Sequence, residues 1–278
     1  MHLEHVTVFC FFASYSCTLL LELTQFLRHS KAMRWTSLGF AAAGLFAQTI
    51  YLVVRSRQSD LPPLLGSTHD WLLVSAWLVV VLYLGMKLWD ADLSAGVFVM
   101  PLVLLLVGTS RFVSSSPNPR IAQSYWWSMV HASLWVFGIL GVVLALVVSL
   151  MYLLQHNRLK HKRAELPALH MLSLERLNKI NWWLIVTSVP LLTLGMITGL
   201  WMSYLSQESE RPVNLINVEF LANSLIWGAM AVLFGWLVRS KRAAGKSVAW
   251  RTIFACGFLL ATLLAIKLLS VDGIHTQS

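Results

Sequence analysis

Trp126–Leu154 reads WWSMVHASLWVFGILGVVLALVVSLMYLL, 29 residues with no Asp, Glu, Lys or Arg among them. A helix rises about 1.5 Å per residue, so about 20 apolar residues cross the roughly 30 Å hydrocarbon core of a bilayer. A run this long and this free of charge is read as a transmembrane helix. One of its side chains is an imidazole. His131 lies five residues after Trp126, roughly 7–8 Å along the helix axis from that end. Its face continues through Trp135, Gly138 and Ala145, so small residues lie below it.

Seven further apolar blocks accompany this one, giving eight at about 6–27, 35–54, 71–89, 94–112, 126–154, 181–205, 218–238 and 249–270. The 278-residue chain is 57% hydrophobic and 12% charged, against about 45–50% and about 25% in soluble domains. The expected fold is an all-α polytopic membrane protein with eight transmembrane helices. The first block follows Met1-His-Leu-Glu-His5, which lacks a positive leader, and it contains Glu22. It is therefore read as a retained helix. Charge sets the orientation under the positive-inside rule. With both termini outside, fifteen cations face inward: Arg28, Lys31, Arg34, Lys87, Arg158, Lys160, Lys162, Arg163, Arg176, Lys179, Arg239, Lys241, Arg242, Lys246 and Arg251. Five face outward: Arg55, Arg57, Arg111, Arg120 and Arg211. The net charge of +9 is thus a matter of topology, and nucleic acid is not an expected partner.

The Ser- and Pro-rich segment 112–125 divides the chain into an N-terminal four-helix half, 1–112, and a C-terminal four-helix half, 113–278. The basic run His156–Arg163 reads as an anchor to anionic lipid heads. After Pro167, Leu169, Leu172, Leu177 and Ile180 recur at helical spacing and predict a short interfacial helix. Most of the 13 tryptophans fall near helix ends, as interfacial belts require. Gly195 and Gly199 form a small-residue face for close helix packing, and Pro101 and Pro190 lie within helices. Cys10, Cys17 and Cys256 sit in apolar blocks outside any C-x-x-C, and the first two are read as packing residues.

Ionisable groups at membrane depth are functional candidates by default. Glu22 reads as a local or snorkelling pair near Arg28, and Lys267 lies one turn from the outer end of the last block. His131 and His275 both fall at the outer level. Two neutral imidazoles on opposite sides of an iron make a bis-histidine heme site, and Arg111, Arg120 and Arg211 on the same side could meet heme propionates. His2, His5 and His69 share that side, so topology leaves the choice of pair open. Neither a P-loop nor an H-E-x-x-H is present.

The stretch from His131 to His275 resembles the membrane-bound cytochrome c assembly proteins of the CcsA/HemX type. The likeness rests on His131-Ala-Ser-Leu-Trp135, Leu174-Glu-Arg-Leu-Asn178, Pro190-Leu-Leu-Thr-Leu-Gly195 with Gly199-Leu-Trp201, and Ala249-Trp250 with Gly257-Phe258, ending Lys267-Leu-Leu-Ser-Val-Asp-Gly-Ile-His275. It implies heme as cofactor, with His131 and His275 as axial ligands at the outer face. Arg120, Arg211 and Glu219 are the further cofactor-binding candidates. The implied location is a bacterial inner or plasma membrane, with an apocytochrome c and a membrane assembly partner. Any thioether would join heme vinyls to cysteines of the substrate cytochrome. The chain is at most a component of a heme-attachment system, with no catalytic residue assigned.

Two departures bear on that role. The family's tryptophan-rich outer loop falls at about 203–220, where this chain has no tryptophan and only Glu219 near the acidic position. Gln48 stands where relatives carry a membrane-embedded histidine. The alternative expectation is a HemX-like scaffold or regulator of heme biosynthesis that does not deliver heme. An unrelated permease is disfavoured by the scarcity of polar midplane groups and the absence of an internal repeat.

Overall fold

The computed structural model describes residues 7–25, 30–89, 95–113, 115, 125–160, 172–205, 218–239 and 245–255. Every regular element among the described residues is a helix: α1 (Val8–Thr24), α2 (Lys31–Ser59), α3 (Pro63–Gly66), α4 (Thr68–Trp89), α5 (Gly96–Ser110), α6 (Tyr125–Lys160), α7 (Leu174–Leu205) and α8 (Val218–Arg239), with a last helical stretch, α9, at 245–255. Each of the eight apolar blocks coincides with a helix over its described part. Among the described residues, four helices are long and apolar enough to cross a membrane: Lys31–Ser59, Thr68–Trp89, Tyr125–Lys160 and the Leu174–Met202 part of α7. α1, α5 and Trp227–Trp236 are apolar but shorter.

Two expectations are corrected here. The short interfacial helix is not separate, because Leu174–Ile180 forms the first turns of a continuous α7. No helix-breaking residue lies between Leu174 and Trp183, so the helix propagates through the junction. Nor does Cys10 pack into a core. It is exposed, with its sulfur 3.6 Å from Thr7 Oγ1, and Cys17 is only half-buried.

The chain gathers into two units, residues 1–125 with 158–172, and residues 126–157 with 173–278. In the first, α1, α2, α4 and α5 form a ring in which each packs on the next and α5 closes on α1. Helical periodicity builds the inner faces. α1 contributes Phe11, Tyr15, Thr18 and Glu22, and α2 contributes Ser37, Ala41, Gly44, Gln48 and Leu52. Gly44 lets the two helices close up, since a Cβ there would stand 2.6 Å from the Tyr15 ring. In the second unit α6 and α7 run antiparallel, with Gly138 against Leu192 and Gly141 against Ser188. Trp135, Val142, Ala145, Ile185, Val189 and Leu192 form their shared core, with Trp227 of α8 donating to Thr193 Oγ1 at 2.7 Å.

The first unit has the polarity of a protein dissolved in lipid. Phe9 and Phe46 are 75% and 69% exposed, while Glu22 and Lys87 are 2% and 3% exposed. In water that arrangement would forfeit apolar burial, and burying an ion pair would still cost its desolvation. In hydrocarbon it is the favourable one.

Midway along this unit, Tyr15 donates to Gln48 Oε1 at 2.5 Å, and Gln48 Nε2 donates to the Leu73 carbonyl at 2.9 Å. Gln48→Leu roughly keeps the volume but strands the buried Tyr15 hydroxyl, at about 1–3 kcal/mol, while the Leu73 carbonyl keeps its bond within α4. A corresponding fall in unfolding free energy, measured by denaturant titration in detergent, is the expected result.

Candidate functional site

His131 lies in the second turn of α6, half-buried against α7. Its Nδ1 is 3.0 Å from the Gly195 carbonyl oxygen and 3.1 Å from Thr198 Oγ1. A carbonyl oxygen only accepts, so Nδ1 is the protonated nitrogen and donates. The Thr198 hydroxyl donates to the same Gly195 oxygen at 2.9 Å, leaving its lone pairs to receive the imidazole N–H. Nε2 is then the nitrogen that carries the free lone pair. This is the form in which a histidine ligates a metal, with its other N–H held by a carbonyl.

Two glycines of α7 make the space. A Cβ at Gly199 would stand 2.9 Å from His131 Cε1, and one at Gly195 would stand 3.1 Å from Trp135 Nε1. Trp135 lies edge-on to the imidazole, with ring centroids 6.3 Å apart and planes at 64°. The glycine pair expected to let helices approach therefore also serves as a seat for two particular rings of α6.

The ring of α1, α2, α4 and α5 holds two further polar clusters. At one end Glu22 Oε1 receives Lys87 Nζ at 2.8 Å, the Tyr83 hydroxyl at 2.8 Å and the Ser37 hydroxyl at 3.1 Å. Glu22 thus has Lys87 of α4 as a partner, while the expected neighbour Arg28 lies outside the described residues. Lys87 is itself buried within the bundle. An acid and a base at the same depth neutralise each other more cheaply inside the bundle than either can alone. The signal was present in the sequence as two opposite charges, each within an apolar block.

At the other end Arg55 pairs with Asp70, which also accepts from the Ser67 hydroxyl at 2.8 Å. Beside them His69 Nδ1 donates to the Ser110 carbonyl at 2.7 Å, and its Nε2 faces the Tyr51 hydroxyl at 3.2 Å. Both nitrogens of His69 are engaged, so it offers no lone pair to a ligand.

Of the remaining candidates, His275, Arg120 and Arg211 lie outside the described residues, as do His2, His5 and Lys267. Glu219 is the second residue of α8. Arg111 caps the C-terminus of α5 and is exposed. Among the described residues no three His, Cys, Asp or Glu side chains come together as a metal site. A single axial imidazole does not require such a cluster. Compared with protein-family models, curated proteins and solved structures, the chain matches none.

Proposed function

We propose that the chain is a multi-pass protein of a bacterial inner or plasma membrane, with eight spans and both termini outside, that binds heme at its outer face. His131 is one axial ligand, and His275 is proposed as the other, with Arg120 and Arg211 toward the propionates and Glu219 as the remaining polar neighbour. The observation that carries this reading is the fixed tautomer of His131. Its Nδ1–H is held by Gly195 and Thr198, and the missing side chain of Gly199 lets the ring pack directly on α7.

The described residues fit an axial ligand on these grounds. Heme would supply an iron with two axial positions and vinyl groups for attachment to a cytochrome. The chain's own residues orient one imidazole, and α6 and α7 hold it rigidly by packing Gly138 on Leu192 and Gly141 on Ser188. If the family role holds, an apocytochrome c and a membrane assembly partner are the further partners.

A second reading, a HemX-like scaffold or regulator, draws support from Gln48. Both ends of its amide are taken by Tyr15 and Leu73, so this embedded position offers nothing to a heme passing through the bundle. That favours holding heme at one face over moving it across.

The test is an absorption spectrum of detergent-purified protein from heme-replete cells, reduced with dithionite. The expected result is a low-spin bis-imidazole spectrum that His275→Ala converts to a high-spin one. A colourless protein that also fails to bind added hemin would overturn the reading.

A further inference from the structure

Glu22 and Lys87 are each within a turn of a helix end, α1 ending at Thr24 and α4 at Trp89. Side chains so placed can reach toward the interface and leave the membrane interior. Both turn inward instead, to 2% and 3% exposure. The contacts around them draw on α1, α2, α4 and α5, the four helices of the ring. Ser37 comes from α2, Tyr83 and Lys87 from α4, and Gly96 opens α5 so close to the Glu22 carboxyl that a Cβ there would stand 2.5 Å from it.

α1 is the helix that most needs such a partner. It has 17 residues, fewer than the helices long enough to cross on their own, and an ionised group in an apolar segment costs more than several apolar residues return. From this geometry we infer that the Glu22–Lys87 pair is an assembly lock. α1 becomes stably seated in the membrane only when α4 brings Lys87 to it, and α2 and α5 then close around the pair. Insertion of the first helix is thereby tied to a residue that emerges 65 positions later in the chain. The inference rests on the chain's spanning a membrane, not on heme.

α1 carries its own mid-helix reporter, Cys17. In a Cys10→Ala, Cys256→Ala background, sealed vesicles are treated with a membrane-impermeant maleimide. The parent protein is expected to resist labelling at Cys17. Lys87→Met, which leaves Glu22 without its cation, is expected to raise labelling on the order of tenfold or more. Glu22→Gln combined with Lys87→Met removes both charges and should restore protection.

Free labelling of the parent protein would defeat the membrane reading itself. Protection of Lys87→Met, or a double variant labelled as heavily as the single one, would overturn the lock while leaving the membrane reading intact. If Lys87→Met does not accumulate, the exchange Glu22→Lys with Lys87→Glu decides the matter. Recovery of the protein supports the lock, and failure to recover overturns it.

Discussion

His131→Ala is expected to eliminate the reduced low-spin spectrum and to weaken hemin binding by more than about a hundredfold, since loss of even an outer-shell partner of a metal ligand costs about 10–100-fold. The helices themselves should survive the change. His131 is half-buried and its hydrogen bonds reach one carbonyl and one hydroxyl of α7, contacts that contribute on the order of 1 kcal/mol each. The core of Trp135, Val142, Ala145, Ile185, Val189 and Leu192 is untouched. The truncation leaves an imidazole-shaped space lined by Gly199 and the Gly195 carbonyl. Free imidazole in the buffer is therefore expected to restore the low-spin spectrum. Absorption spectra with and without imidazole make the check. A low-spin spectrum that persists in His131→Ala without imidazole would show that some other group ligates the iron.

The fold was legible because the apolar blocks are long and sharply bounded. Trp126–Leu154 can only be a helix if its backbone polar groups are to be satisfied in hydrocarbon, and α6 covers all of it. Helix limits were less legible. α7 begins at Leu174, earlier than the apolar block does, because amphipathic turns extend a helix into the interface without adding to its hydropathy. The membrane-facing polarity of the first unit also escaped a reading based on hydropathy alone. Glu22 and Lys87 are 65 residues apart, and they reach the same depth only because α2 runs back between α1 and α4, which brings the C-terminal ends of those two helices together.

For the site, position along a helix was readable but partnership was not. His131 could be placed near the N-terminal end of α6 by counting residues, and Gly195 and Gly199 could be recognised as a small-residue face. That the two glycines seat Trp135 and His131 depends on the register of α6 against α7, which the apolar residues of either helix leave open. His69 looked equivalent to His131 by topology. Its two nitrogens turn out to be taken by Tyr51 and Ser110, and Ser110 lies 41 residues away. Single-residue patterns carry no such pairing.

That register makes the glycines unequal, and Gly199→Ala is expected to have the second largest effect on the heme site. Its Cβ would stand 2.9 Å from His131 Cε1, closer than carbon atoms pack, and 3.8 Å from Nε2. The imidazole must shift or rotate, and its freedom is small because Nδ1 is tied to Gly195 and Thr198. The expected outcome is a low-spin to high-spin change with hemin still bound, readable in the Soret and visible bands. Gly195→Ala should act more weakly, as its Cβ would meet Trp135 Nε1 at 3.1 Å and not the ligand itself. Gly235→Ala in α8 supplies the control, because a Cβ there would meet nothing within 4 Å. Helix propensity then favours alanine by about 0.8–1 kcal/mol, so the protein should be no less stable and its spectrum unchanged. Equal effects at positions 199 and 235 would mean that the spectrum reports general helix perturbation. A graded series, with 199 ahead of 195 and 235 silent, ties the spectrum to the seat of His131.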